Sequence, residues 1–172
     1  MLMRWLLDKV IVRYTLDGMV SLALDRPLTE VQQAAVQLLT TAATAQVDLY
    51  ISPASANILS RLQANRRFEA IIQVFLRRVQ IATPTRYFVR WSRRLRQIGF
   101  APEDSRMLAL PTFGTNATRD ILGMNAFITY DHPLVNLWRQ NNLEIERRLS
   151  AMRRQLPAPY DGAKLPKVML LK

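Results

Sequence analysis

The strongest constraint on this chain is a recurring unit: a short apolar run, a capping residue, then a longer stretch with apolar residues at helical spacing. Residues 5–7, 49–51, 79–82 and 126–129 read as buried strands, and 168–171 reads as a possible fifth. Between the first two, Thr29 and Gln32 have the spacing of a capping box, and Val31, Ala34, Ala35, Leu38, Leu39 and Ala42 follow on one helical face. Ser52-Pro53 and Thr83-Pro84 each read as an N-cap followed by proline at the first helical position, directly after a strand. Pro102 and Pro133 open two further helices, while Gly99 and Gly114 close others. Strands alternating with long helices predict an α/β fold: a three-layer α/β/α sandwich around a central, mostly parallel sheet of four to five strands.

The chain's 172 residues, 49% of them hydrophobic, suffice for one domain with a sizeable core. Residues 1–142 carry the α/β body. Residues 143–172 read as a C-terminal helix, a Pro-rich loop with Asp161 and Gly162, and the possible last strand, all part of the same domain. Cysteine is absent, which excludes disulfides, thiolate metal sites and a cysteine nucleophile. With His132 as the single histidine, a multi-histidine zinc site is excluded too, so any metal must be held by oxygen. The apolar opening from Met1 to Leu7 is interrupted by Arg4 and stopped by Asp8, too short for a signal peptide, and no run of eighteen apolar residues occurs. The expectation is a cytoplasmic protein with no membrane association.

Net charge is +11, and the basic residues are 20 Arg against 4 Lys. Arginine presents a planar fork of donors that pairs with phosphate and stacks on bases, so the bias points toward nucleic acid. The charge is regional: residues 1–60 sum to −1, 61–106 to +8, 107–138 to −1 and 139–172 to +5. After Thr83-Pro84, the residues Tyr87, Trp91, Leu95 and Ile98 form an apolar stripe, and Arg86, Arg90, Arg93 and Arg94 fall on another face. Those four arginines are the candidate nucleic-acid contacts. Arg147, Arg148, Arg153 and Arg154 flank Glu144 and Glu146 on a helix that can support a protein partner or a homodimer interface.

Parallel α/β sheets place ligand groups at the carboxyl ends of strands. Asp8 ends the first apolar run, Asp131 follows residues 127–130, and Asp104 lies in the opening of the helix begun by Pro102. Three carboxylates distant in sequence can thus converge on one edge, where Mg²⁺ or Mn²⁺ is the natural counter-ion for oxygen ligands. Each also has a plainer reading, since an aspartate at a helix N-terminus caps it or complements its dipole.

At these residues the sequence resembles the PIN-domain family of metal-dependent ribonucleases. Leu6-Leu7-Asp8 is similar to the family's opening motif of two hydrophobic residues and an aspartate. The segment from Gly99 through Pro102, Asp104 and Ser105 to Leu110 resembles the one carrying the third acidic residue, assigned to Asp104. Phe127-Ile128-Thr129-Tyr130-Asp131 resembles the late strand ending in Thr-x-Asp. The resemblance implies an endoribonuclease that hydrolyses RNA with Mg²⁺ or Mn²⁺ held by Asp8, Asp104 and Asp131, with Asn57 and Thr129 assisting. Two positions depart from the family pattern: Asn57 stands where a glutamate is usual, and Lys9 where threonine or serine is common. They frame the alternative of a degenerate PIN fold that binds RNA or protein without cutting. The resemblance also implies a third role, a toxin restrained by an antitoxin.

Overall fold

The computed structural model describes residues 2–172; Met1, in the apolar opening run, lies outside the described residues. The central sheet contains β1 (Met3–Leu7), β2 (Val47–Ile51), β3 (Val79–Ile81), β6 (Ala126–Thr129) and β7 (Lys167–Leu170), and a two-stranded ribbon pairs β4 (Thr83–Pro84) with β5 (Gly114–Thr115). The five strands lie in the order β3-β2-β1-β6-β7, and every pair is parallel. Residues 167–170 therefore complete one edge of the same sheet. The chain winds outward from β1 through β2 to β3, then returns to the opposite side of β1 as β6. That reversal puts a switch point between β1 and β6, where the connections leave the strand ends in opposite directions.

Side chains alternate across the sheet because successive residues of a strand face opposite ways. Leu6, Tyr50, Phe127 and Val168 face one layer, and Leu7, Leu49, Ile51 and Ile128 face the other. The second layer holds α1 (Lys9–Ala23), α2 (Glu30–Thr44), α3 (Pro53–Gln63) and α4 (Glu69–Leu76), which bury Ile11, Val12, Leu38, Leu59 and Phe75. The first layer holds α5 (Phe88–Ile98), α6 (Pro102–Phe113), α7 (His132–Gln140) and α8 (Asn142–Arg153), built on Trp91, Leu95, Leu108, Trp138 and Leu149. The result is the three-layer α/β/α sandwich, with five strands. Among the described residues no helix is long and apolar enough to cross a membrane.

Local chemistry explains the boundaries. Thr29 and Gln32 close both hydrogen bonds of the capping box at α2. The Ser52 hydroxyl accepts from the Ser55 N–H, with Pro53 inside the first turn of α3. At Gly18 a Cβ would stand 2.6 Å from Val36 Cγ2, so glycine is what lets α1 and α2 approach. Gly99, at φ 125°, makes the reversal from α5 into α6.

One capping assignment is overturned. Thr83-Pro84 does not start a helix: it stays extended and pairs with Gly114 and Thr115. The Thr85 N–H and hydroxyl both donate to the Phe113 carbonyl, holding the segment against the end of α6. Helix α5 begins only at Phe88, capped by no side chain. Proline at the end of an edge ribbon loses no hydrogen bond the sheet needs, so the same dipeptide serves either role.

Candidate functional site

Asp8 sits at the carboxyl end of β1, beside the switch point, with only 7% of its surface exposed. Its backbone N–H donates to the Ile128 carbonyl at 2.9 Å, continuing the pairing with β6 by one residue. Its side chain caps α1: Oδ1 accepts from the Lys9 N–H at 2.7 Å, and Oδ2 accepts from the Thr129 hydroxyl at 2.6 Å. Thr129 is fully buried, and its Oγ1 also accepts from the Asp131 N–H at 3.0 Å. Thr129 thereby ties the ends of the two central strands together. Asp131, exposed, caps α7 by accepting from the Leu134 N–H at 2.9 Å. Capping and site geometry are thus compatible for both residues, and the Thr129 bond to Asp8 is the contact that capping does not require.

Asp104 lies half-buried in the first turn of α6. Its carboxyl is raised above the usual aspartate range by burial, and then by the negative charges of Asp131, Asp8 and Glu103. Asp8 is likewise raised, chiefly by burial; the bonds from Thr129 and Lys9 oppose the shift, and Asp131 adds to it. The negative charges of Asp8 and Asp131 both bear on Asp104, and that of Asp131 bears on Asp8. Lys9 points its ammonium at Glu103 in an ion pair, and its charge is held on by Glu103, Asp8 and Asp104. This pair crosses 94 residues and links the first residue of α1 to the first turn of α6. No family model, curated protein or solved structure matches the chain.

The donor chemistry fits a hard cation, because carboxylates and a hydroxyl are the oxygen ligands that Mg²⁺ and Mn²⁺ prefer. The arrangement is not a closed cage: among the described residues no group of three or more His, Cys, Asp or Glu side chains is placed to hold a metal ion. Mg²⁺ does not require one, since it commonly binds through one or two carboxylates plus substrate phosphates.

The remaining candidates are placed as follows. Asn57 is exposed on α3, and among the described residues no hydrogen bond joins it to the aspartates. An apolar groove of about 480 Å³ between α1, α3 and α4 is lined by Val12, Leu16, Ile58, Leu59, Phe68 and Ile72, with Lys9 at the same surface. Arg86 precedes α5, its guanidinium 4.8 Å from the centre of the Tyr87 ring and 5.7 Å from that of Tyr160. Arg90, half-buried, donates to Gln155; Arg93 is exposed; Arg94 turns toward α8. Of the four arginines, Arg86 and Arg93 are exposed and Arg90 and Arg94 half-buried. Sequence reading missed the Lys9–Glu103 pair and the meeting of α5 with α8, both contacts between distant segments that no local spacing announces.

Proposed function

We propose that this chain is a PIN-like endoribonuclease that hydrolyses RNA phosphodiesters at Asp8, Asp104 and Asp131, with Mg²⁺ or Mn²⁺. One observation carries the reading: a carboxylate is buried at the switch point of a parallel sheet, against its own desolvation cost and against a second negative charge. A buried ionised carboxylate is expensive unless paired, and the α1 cap that Asp8 supplies could equally be made by a neutral serine, threonine or asparagine. Perturbed carboxylates in such a place mark functional sites.

Asp8, Asp104 and Asp131 are the residues that would hold the ion, which when bound acidifies a water and stabilises charge on a phosphoryl group. Thr129 fixes Asp8 by its hydroxyl bond and Asp131 by its backbone, so that both carboxylates keep their positions as RNA binds. The Lys9 ammonium lowers the repulsion between Asp8 and Asp104 while RNA and ion are absent. The arginines supply backbone contacts that do not read bases.

The test is cleavage of single-stranded RNA in Mg²⁺ or Mn²⁺, compared with chelator and with Asp8→Asn. Cleavage that needs the metal and is lost in the variant is the expected result; Asp8→Asn protein cutting as fast as the parent would sink the assignment. A second reading is favoured by the Lys9–Glu103 pair and by the open acid arrangement: a degenerate PIN-like fold that retains RNA without cutting it. Unchanged RNA binding in chelator, with no cleavage under any metal, selects that reading.

A further inference from the structure

Basic segments that are far apart in the sequence meet where α5 packs on α8. The Arg148 guanidinium donates to Gln97 Oε1 at 2.8 Å, joining the two helices, and Arg90 donates to Gln155, just beyond the end of α8. Between them lies a concavity of about 260 Å³ lined by Arg94, Arg147, Arg148 and Ala151. Three arginine side chains therefore line one hollow, and two of them, Arg147 and Arg148, pair with Glu144.

The hydrogen bonds show how much of each guanidinium is left over. Glu144 takes Nε and Nη2 of Arg147 at 2.9 Å each and Nε of Arg148 at 2.7 Å. Arg148 spends a further donor on Gln97, and its side chain is only 27% exposed, so its position is fixed before any ligand arrives. Among the described residues no carboxylate pairs with Arg94. An arginine carries five donors, so all three keep N–H groups unspent. Among the described residues Glu144 is the one carboxylate paired with these arginines, so two of the three positive charges along the hollow are uncompensated, and a concave surface concentrates the field. An ordinary solvated arginine face is convex, with each charge free to move away from the others.

We propose that the hollow between α5 and α8 is a phosphate-binding pocket in which Arg94, Arg147 and Arg148 grip a phosphate group, either of a nucleic-acid backbone or of a free polyphosphate. Arginine forks match phosphate oxygens two at a time, and ordering the forks in advance reduces the entropy lost on binding. Glu144 is a positioning residue here: it orients Arg147 and Arg148 and does not itself meet the ligand. The three aspartates are not among the residues that line the hollow, and its ligand binds without divalent metal, so the pocket does not rest on the nuclease reading.

The experiment measures binding of a fluorescent twelve-nucleotide uridine RNA in chelator across a salt series, and of pyrophosphate by calorimetry. Arg94→Ala and Arg147→Ala are each expected to weaken binding about tenfold and, for the RNA, to lower the salt slope by about one. Arg61→Ala, an exposed arginine in the last turn of α3, is the control and is expected to change affinity less than about twofold. Arg94→Lys keeps the charge without the fork; an affinity between those of the parent and Arg94→Ala supports fork recognition, and melting curves of all variants exclude a folding defect. Loss confined to RNA assigns a backbone phosphate, and loss for pyrophosphate as well assigns a general phosphate site. If Arg94→Ala and Arg147→Ala do no more than Arg61→Ala, the pocket is refuted. It is equally refuted if polyglutamate competes as well as RNA at equal charge, because the hollow would then recognise carboxylate.

Discussion

Asp8 and Glu144 are carboxylates in two contrasting regions, and each accepts hydrogen bonds from both of its oxygens. Their environments push them in opposite directions. Glu144 is held well below the usual glutamate range, at about 2, by bonds from Arg147 and Arg148, two cations at a solvated helix surface. Asp8 is raised chiefly by burial, and the bonds it accepts from a neutral N–H and a neutral hydroxyl oppose that rise without overcoming it. The anion of the α5–α8 face is satisfied, and the positive charge around it is in excess. At the switch point the anions are in excess, with Lys9 the cation that lies closest to balancing them and Glu103 already paired with it. One region calls for a cation and the other for an anion, which is the polarity a protein handling a phosphodiester and a divalent ion together would have.

The largest effect that tests this contrast comes from Asp8→Asn. The amide keeps the acceptor for the Lys9 N–H and can donate to the second lone pair of Thr129 Oγ1, while the buried charge disappears. RNA cleavage is expected to fall about a hundredfold or more in a gel assay, while the melting temperature holds or rises. A variant that melts lower yet still cuts would show that Asp8 serves the fold and not the chemistry.

Thr129→Val is next in size. It keeps the shape of the side chain but leaves Asp8 Oδ2 and the Asp131 N–H without their mutual partner. Destabilisation of about 1–3 kcal/mol in denaturant titration is expected, together with a roughly 10- to 100-fold loss of activity. Asp8 also gives a pH signature. Its folded value lies above the ordinary 3.8, so the folded state holds more protons, and stability falls as pH rises from 3.8 through the raised value. Asp104 acts in the same direction. Glu144 has the opposite sign: its contribution is present above the ordinary 4.5 and is lost as pH falls toward about 2. Melting temperatures across this range should show the rising-pH loss diminished in Asp8→Asn; an unchanged profile would remove Asp8 as its source.

Much of the scaffold was legible because it is written locally. Short apolar runs, the Thr29–Gln32 box and the prolines at positions 53, 102 and 133 each report on neighbours a few residues away, and strands and helices formed where these signals stand. Thr83-Pro84 misled because the two residues cannot announce that Gly114 and Thr115 will pair with them. At the site, Asp8 and Asp131 were readable as strand-end acids. That Thr129 bonds Asp8 across 121 residues, or that Lys9 reaches Glu103, depends on which strands become neighbours in the sheet. Arg94 showed the same limit from the other direction: helical spacing placed it with Arg90 and Arg93, whereas packing against α8 places it with Arg147 and Arg148.

The smallest effect is the sharpest test of the basic region. Glu144→Gln removes the carboxylate that, among the described residues, pairs with the arginines of the hollow, while keeping an acceptor for one arginine. Two opposing consequences follow. The local charge rises, which favours an incoming phosphate, but the bidentate hold on Arg147 and the single bond to Arg148 are no longer both made, which costs entropy on binding. At low salt the charge term dominates, since unscreened attraction extends across the hollow; near physiological ionic strength the Debye length shrinks to about 8 Å and the ordering term gains weight. The variant is therefore expected to bind RNA a few-fold more tightly than the parent in low salt, with the advantage shrinking or reversing as salt rises, so that the two curves converge or cross. Two parallel lines in a plot of log affinity against log salt would mean that Glu144 does not pre-order the pocket, and the contrast between the two carboxylates would then lie in burial alone.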